Sequence, residues 1–183
     1  MKKLDKIFEE AAKEIKKIEK GYANHPSDPG GKTRWGISEW LARAYKYDGK
    51  MKNLPWKKAK EIYYKEYWHR NKYNKIKNRR IAKEVLEQAI NLPTIVFKSR
   101  KVLKANYHLQ KAYCLASDEE IAVDGIIGNE TLEAVNNCPE IIQLFNILNG
   151  YQAKHYLEIV ETHPELEDFV NGWFNKRIEI RKV

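Results

Sequence analysis

The stretch IEKGYANHPSDPGGKTRWGI, residues 18–37, decides how this chain folds, because it interrupts an otherwise helical pattern. Its DPGG tetrapeptide at residues 28–31 is a strong turn signal, since proline and glycine favour the backbone angles of turns. The rest of the stretch is polar and aromatic. We therefore predict an irregular segment or a short β-hairpin near residues 22–37, with helices on both sides.

A first helix is predicted over residues 3–20, where apolar side chains recur at the spacing of one helical face. On a helical wheel with Leu4 at zero, Glu19 falls at about 60°, inside the apolar arc and in the last turn. Partial burial and the negative end of the helix dipole both disfavour a charged carboxylate there. A glutamic acid that stays protonated is what general acid catalysis requires. The alternative is a frayed helix end, with Glu19 turned out to solvent.

Two polar residues follow Glu19 in the turn-rich stretch. Asp28 lies in a polar turn, where we expect its carboxylate to stay ionised. Two carboxyl groups in contrasting environments are the arrangement used for acid-catalysed glycoside cleavage. Thr33 carries a hydroxyl that can help to hold a water molecule. The alternatives are that Asp28 only shapes a turn before proline and that Thr33 is only a hairpin residue.

Downstream of this stretch the apolar pattern is again helical, so the predicted fold class is mainly α. Ser38 is the expected N-cap of the next helix. The predicted helices cover approximately residues 39–47, 55–70, 79–91, 94–115, 129–137, 140–162 and 164–179. Prolines mark four of these starts: Pro55, Pro93, Pro139 and Pro164.

Composition bounds the class of protein. The chain has 183 residues, of which 43% are apolar, which excludes a disordered protein and allows a sizeable core. No apolar run approaches the roughly 18–20 residues of a membrane span, so we expect no transmembrane segment. The N-terminal sequence lacks the apolar stretch of a secretory signal, so we expect no signal peptide and synthesis in the cytoplasm. Two cysteines exclude a disulfide framework, and the five histidines show no ligand spacing, so we expect no metal and no cofactor.

The net charge of +9 indicates an anionic or surface-bound partner. Cell-wall polymer, nucleic acid and anionic lipid all fit this charge. The charge can also reflect solubility alone.

The turn-rich stretch resembles the signature of the glycoside hydrolase 108 family, whose motif reads approximately E-G-G-Y, then D-P-G-G-x-T, then G-I. The matching residues are Glu19, Gly21, Tyr22, Asp28, Pro29, Gly30, Gly31, Thr33, Gly36 and Ile37. Weaker matches follow in the family's order at Ile62-Tyr63, Tyr67-Trp68, Leu109-Gln110, residues 123–128, Thr131, Phe169, Gly172-Trp173 and Asn175. The resemblance thus covers nearly the whole chain.

The resemblance implies a lysozyme-like, two-lobed helical fold and an N-acetylmuramidase of the kind found in phages and prophages. Residues 1–92 would form the catalytic region, and residues 93–183 a helical peptidoglycan-binding region packed on it. The resemblance further implies that Glu19 is the catalytic acid. By a looser similarity to phage endolysins, Asp28 and Thr33 would position the attacking water.

The glycine-rich stretch and the matching motifs also supply the candidate substrate-binding residues. These are Tyr22, Gly30, Gly31, Trp35, Gly36, Tyr63, Asn91 and Gln110. The sequence departs from the family pattern at Lys20, where glycine is usual, at Glu87, where aspartate is commoner, and at Lys176, where arginine is usual.

The expected partners are the glycan strands of peptidoglycan and the anionic cell envelope, with no nucleic acid. We expect a monomer that, as the resemblance implies, reaches the wall from the cytoplasm through a holin-type pore. The alternative function is a non-catalytic, basic helical module that binds peptidoglycan or nucleic acid.

Overall fold

The computed structural model describes residues 3–19, 21–23 and 31–180 of the chain. They are mainly α-helical with two small antiparallel sheets, so the predicted fold class is confirmed. The chain forms two compact units, Met1–Lys75 and Ile76–Val183. No helix among these described residues is both long enough and apolar enough to cross a membrane.

Helix α1 spans Lys3–Ile18, so it ends two residues before the predicted limit. The amphipathic pattern is the reason for its placement, because its apolar face is buried in the first unit while Lys6, Lys13, Lys16 and Lys17 face solvent. The buried residues of this face are Ile7, Phe8, Ala11, Ala12 and Ile15. Phe8 meets the ring of Tyr64 edge-on, with 5.0 Å between ring centroids.

The turn-rich stretch forms a three-stranded antiparallel sheet in the order β1-β2-β3. Its strands are β1 (Tyr22–Ala23), β2 (Thr33–Arg34) and β3 (Ile37–Ser38). Trp35 and Gly36 connect β2 to β3 and have φ angles of 55° and 67°. A two-residue hairpin turn with positive φ at both central positions is a type I′ turn, which matches the twist of paired strands.

The remainder of the first unit is helical. Helix α2 (Glu39–Ala44) follows Ser38, which occupies the predicted N-cap position without a side-chain capping bond. Helix α3 (Trp56–Ile62) begins after Pro55 and continues as a π-helical segment, Tyr63–His69. The helix predicted over residues 55–70 is therefore present, and its second half has the wider π winding, which is frequent at functional sites. Short 3₁₀ helices cover Met51–Asn53 and Tyr73–Lys75.

The second unit contains five α-helices and a hairpin among its described residues. Helix α4 has the predicted bounds, and the Asn78 side chain caps it by accepting from the backbone N–H groups of Arg80 and Ile81. The helices are α4 (Arg79–Asn91), α5 (Lys104–Ser117), α6 (Asn129–Asn137), α7 (Ile141–Thr162) and α8 (Val170–Arg177). A 3₁₀ helix, Pro164–Phe169, replaces the first part of the helix predicted over residues 164–179.

The helix predicted over residues 94–115 is wrong over residues 94–103. Strands β4 (Thr94–Phe97) and β5 (Arg100–Leu103) form an antiparallel hairpin there, and only then does α5 begin. Threonine, isoleucine, valine and phenylalanine favour a strand because branched and aromatic side chains pack well on a pleated surface. The turn residues Lys98 and Ser99 have positive φ angles of 44° and 65°.

The core of the second unit lies where α4, α5 and α7 pack on one another. The boundary between the two compact units lies after Lys75, before α4 begins. The predicted limit of the catalytic region at residue 92 rests on the sequence motifs and stays a prediction. Cys114 and Cys138 are both half-buried free thiols.

Candidate active site

Glu19 lies directly after α1 and three residues before Tyr22, the first residue of β1. Its backbone N–H donates to the carbonyl oxygen of Ile15 at 2.7 Å, which extends the helical hydrogen bonding by one residue. The Glu19 side chain is half-buried. Glu19 thus lies one residue beyond α1, whereas the sequence predicts it in the last turn of the helix.

Gly36 is the residue against which the Glu19 carboxyl packs. A Cβ placed on Gly36 would lie 3.1 Å from Glu19 Oε2, 3.3 Å from Glu19 Cδ and 2.8 Å from the Tyr63 hydroxyl oxygen. Real Cβ atoms do not approach other heavy atoms as closely as 2.8 Å, so only glycine fits between these two side chains. The β2–β3 turn also gives Gly36 a φ of +67°, which glycine adopts without steric cost. A carboxyl and a phenol group therefore converge on one backbone position.

Tyr63 reaches this point from the first residue of the π-helical segment. Its side chain is 0% exposed, and its hydroxyl donates to the backbone carbonyl of Trp35. The ring packs beside Trp56 and Tyr67, at centroid distances of 6.2 Å and 5.9 Å. The prediction that Tyr63 contacts substrate is corrected, because a fully buried ring cannot touch a sugar. It supports the turn beside Glu19 instead.

Trp35 is held in the turn by two contacts. Its indole Nε1–H donates to the carbonyl oxygen of Leu54 at 2.9 Å, and its ring meets Trp56 edge-on at 5.5 Å. Trp35 remains half-buried, so the residue is partly accessible to solvent. An aromatic face in this position can stack on the apolar face of a sugar ring.

The sheet register separates two of the predicted site residues. Tyr22 pairs with Arg34, which pairs in turn with Ile37, so these three share one face of the sheet. Thr33 pairs with Ser38 and lies on the opposite face. Tyr22 and Thr33 therefore do not point into one common space, although Thr33 lies only three residues before Gly36.

The remaining residues of the glycine-rich stretch lie at the edge of what the structure describes. Asp28 and Gly30 are outside the described residues. Gly31 is half-buried with a φ of +64°.

Gln110 belongs to the second unit and is fully buried. Its Nε2 donates to Asp124 Oδ1 at 2.9 Å and to Thr131 Oγ1 at 3.1 Å, while its Oε1 accepts from the backbone N–H of Gly125 at 2.7 Å. These bonds occupy both ends of the amide. The substrate-binding prediction for Gln110 is therefore corrected: the side chain fixes the loop between α5 and α6.

Asn91, also in the second unit, is part of a polar network that sequence reasoning missed. Its Nδ2 donates to the backbone carbonyl of Glu87 at 2.6 Å, and its Oδ1 accepts from the Tyr156 hydroxyl at 2.8 Å. Glu87 in turn accepts from Gln152 at 2.7 Å and is paired with Arg177. The Asn91 amide is thus engaged within the unit and has a packing role there, and its contact with substrate stays a prediction.

Two carboxyl groups in this network have raised pKa values. Burial and the neighbouring charge of Glu87 raise the pKa of Glu84 from 4.5 to about 8. Burial raises the pKa of Glu87 as well, against the opposing effect of Arg177. The sequence signal for this buried network was Gln88, a polar residue that interrupts the apolar face of α4. Its Nε2 donates to Glu84 Oε1 at 2.9 Å.

Comparison with known proteins shows which family models and solved structures the chain is similar to. A model described as Glycosyl hydrolase 108 matches residues 12–92, and one described as Predicted Peptidoglycan domain matches residues 104–178. Among solved structures, the chain is similar to SagA of Brucella abortus, with 24% sequence identity and a TM-score of 0.70 over 94% of this chain and 90% of that chain. A likeness at this identity shows the fold. No curated protein matches the chain.

Proposed function

The chain belongs to the glycosyl hydrolase 108 family and is a muramidase that degrades peptidoglycan, and from that premise we propose that Glu19 is its general acid. The observation that carries the proposal is the convergence of the Glu19 carboxyl and the Tyr63 hydroxyl on Gly36. Glu19, Gly36 and Tyr63 all lie within the segment that matches the hydrolase family. Membership of a hydrolase family also argues against the alternative of a non-catalytic binding module.

The proposed reaction breaks the bond between the anomeric carbon of N-acetylmuramic acid and the linking oxygen. Glu19 transfers its proton to that oxygen, so that N-acetylglucosamine leaves as an alcohol. A water molecule adds to the anomeric carbon and releases one proton, which returns to the Glu19 carboxylate directly or through Asp28 and solvent, so that the acid is restored. We assign the orientation of this water, or the stabilisation of the positive charge, to Asp28 with help from Thr33.

The surroundings of Glu19 support this role. Tyr63 and the paired strands hold the β2–β3 turn, so the carboxyl packs on a fixed surface. The half-buried Trp35 lies next in the chain to Gly36, and its aromatic ring is of the type that stacks on sugars. A general acid needs this combination of fixed geometry and a substrate surface within reach.

The test replaces Glu19 with glutamine and measures the release of reducing ends from purified cell walls. We expect the rate to fall by roughly 10²–10⁴, because general acid catalysis contributes about that factor. The digest of the wild-type protein should carry muramic acid at its reducing ends. Glu14→Gln, on the exposed part of the same helix, is the matched control and should keep the wild-type rate. Equal rates for Glu19→Gln and the wild type would remove Glu19 from the mechanism.

Further proposals concern partners and location. We propose that the protein acts as a monomer, that the anionic envelope attracts its positive charge, and that nucleic acid is not a partner. We also propose a phage- or prophage-type release to the wall through a holin pore. The net charge of +9 supports electrostatic adhesion. Sedimentation of the purified protein and a DNA mobility-shift assay across salt test the first and third proposals.

A further inference from the structure

Arg34 is the last residue of β2 and immediately precedes the turn that packs against Glu19. Its strand partner Ile37 lies on the same face of the sheet and is 0% exposed. Arg34 therefore stands on the face that packs toward the core of its unit, where it is itself half-buried. An arginine in such a place ordinarily has a carboxylate partner, because a partly desolvated charge is costly without one.

No such partner is present among the residues that the structure describes. The Nε atom of Arg34 is buried and has no hydrogen-bond partner there. Other cations of the same unit are paired: Lys60 with Glu9 at 2.9 Å, and Arg43 with Glu39 at 2.6 Å. Those pairs show that carboxylates are available in this unit. Within the described part of the unit, Arg34 is thus a half-buried guanidinium without an ion-pair partner.

Trp35 holds the Arg34 guanidinium in place. The Cζ atom of Arg34 lies 5.0 Å from the centroid of the Trp35 ring, within the range of a cation–π interaction. This contact restrains the long side chain, while the buried Nε atom makes no hydrogen bond to any described residue. A restrained guanidinium loses little conformational freedom when it binds, and its planar array of N–H donors matches the two oxygens of a carboxylate.

We propose that Arg34 binds a carboxylate of the substrate and thereby makes the site selective for peptidoglycan over neutral polymers of N-acetylglucosamine. This inference rests on the proposed function, because it places the glycan beside Glu19 and Trp35. Peptidoglycan can supply the carboxylate from two sources. One is the stem peptide, and the other is the lactyl group of muramic acid where the peptide has been removed.

The test measures binding by calorimetry with every protein in a Glu19→Gln background, so that no ligand is cleaved. The ligands are soluble glycan strands with stem peptides, the same strands after amidase has freed the lactyl carboxylates, and chitin oligosaccharides. For Arg34→Gln we expect about tenfold weaker binding to a carboxylate-bearing strand and unchanged binding to chitin oligosaccharides. Arg34→Lys keeps the charge without the bidentate geometry and should give an intermediate loss.

Lys32→Gln is the matched control, because it removes the same charge from an exposed residue next to β2. If Arg34→Gln loses binding only to peptide-bearing strands, the carboxylate belongs to the stem peptide. If it loses binding only to stripped strands, the carboxylate belongs to the lactyl group. A loss of binding to both kinds of strand shows that either group binds. An equal loss on chitin, no loss at all, or the same loss in Lys32→Gln would overturn the proposal. Unfolding midpoints confirm that each variant is folded. The Glu19 assay measures cleavage and the Arg34 test measures binding. A Glu19→Gln protein that cleaves normally would therefore contradict the proposed general acid without deciding whether Arg34 binds a carboxylate.

Discussion

At the scale of single residues, a glycine sets the geometry of the candidate site. Position 36 combines two requirements that only glycine meets, a positive φ and the absence of a Cβ between Glu19 and Tyr63. The helical wheel singled out Glu19 because its local periodicity is readable from the sequence. The sequence could not show that the side chains of Glu19 and Tyr63 converge on Gly36, because these residues lie 17 positions before it and 27 positions after it. Arg34 was missed for a related reason, because an unpaired charge is visible only once its surroundings are known.

Gly36→Ala should damage activity more than stability. The added methyl would lie 2.8 Å from the Tyr63 hydroxyl and 3.1 Å from the Glu19 carboxyl, so the carboxyl must shift. A misplacement of about 1 Å at a reacting group can cost roughly 10² in rate, and we expect kcat on glycan strands to fall by about that factor.

Gly21→Ala provides the matched control for this substitution. Gly21 also has a positive φ, +109°, but a Cβ there would meet no atom of the described structure within 4 Å. Both variants should lose about 1 kcal/mol of unfolding free energy from the backbone, with the large loss in kcat confined to Gly36→Ala. Similar values of kcat for the two variants would show that crowding at Gly36 does not position Glu19.

At the scale of elements, the spacing of apolar residues predicted helix bounds correctly where the helical pattern was regular. Helix α4 has the predicted bounds because Asn78 caps its start and its apolar spacing is regular. The β4–β5 hairpin was missed because its lysines and aliphatic residues also fit a helix, and the turn at Lys98 and Ser99 carries no glycine or proline. The π-helical winding of Tyr63–His69 leaves no mark in the apolar pattern of the sequence.

The β4–β5 hairpin should contribute to adhesion to anionic walls. Three exposed cations, Lys98, Arg100 and Lys101, lie at and after its turn, beside Val96, which is 73% exposed. Reversing the three charges to glutamate should weaken binding to insoluble walls at low salt. Because salt screens exposed charges, the difference should disappear near 1 M salt, where the Debye length is about 3 Å.

A second triple variant controls for net charge in that experiment. It reverses three exposed lysines of the first unit: Lys46, Lys50 and Lys52. A sedimentation assay with walls across a salt series gives the comparison. If both triple variants lose binding equally, the hairpin has no special part in adhesion and the effect belongs to the net charge.

At the scale of the whole molecule, two compact units carry different kinds of polar chemistry. The first unit holds the candidate site, and the second holds the buried network around Glu84 and Glu87. Composition and the sequence resemblance were sufficient for the mainly α class and the family. They could not reveal the buried carboxyl pair, since helical spacing alone does not tell an inward glutamate from an outward one.

The Glu84 carboxyl makes the stability of the protein dependent on pH. Its pKa is about 8 in the folded chain, against an ordinary value of 4.5. Between these values the folded state binds a proton that the unfolded state has released, so the free energy of unfolding falls as the pH rises. The slope from this group is at most about 1.4 kcal/mol per pH unit.

Urea unfolding at several pH values between about 5 and 8 measures this slope. Glu84→Gln resembles the protonated acid and should flatten it, with the largest gain in stability at the alkaline end. The exposed Glu133→Gln is the control and should follow the wild type. An unchanged slope in Glu84→Gln would contradict the assignment of the proton to this carboxyl.

The most direct test of the central claim compares two leaving groups in the Glu19→Gln protein. One substrate is a natural glycan strand, whose leaving oxygen needs a proton, and the other is a dinitrophenyl glycoside of the same muramyl sugar, whose leaving group departs without one. If Glu19 is the general acid, the variant should lose roughly 10²–10⁴ in rate on the strand and keep nearly the wild-type rate on the dinitrophenyl substrate. An equal loss on both substrates, or no loss on the strand, would contradict the account.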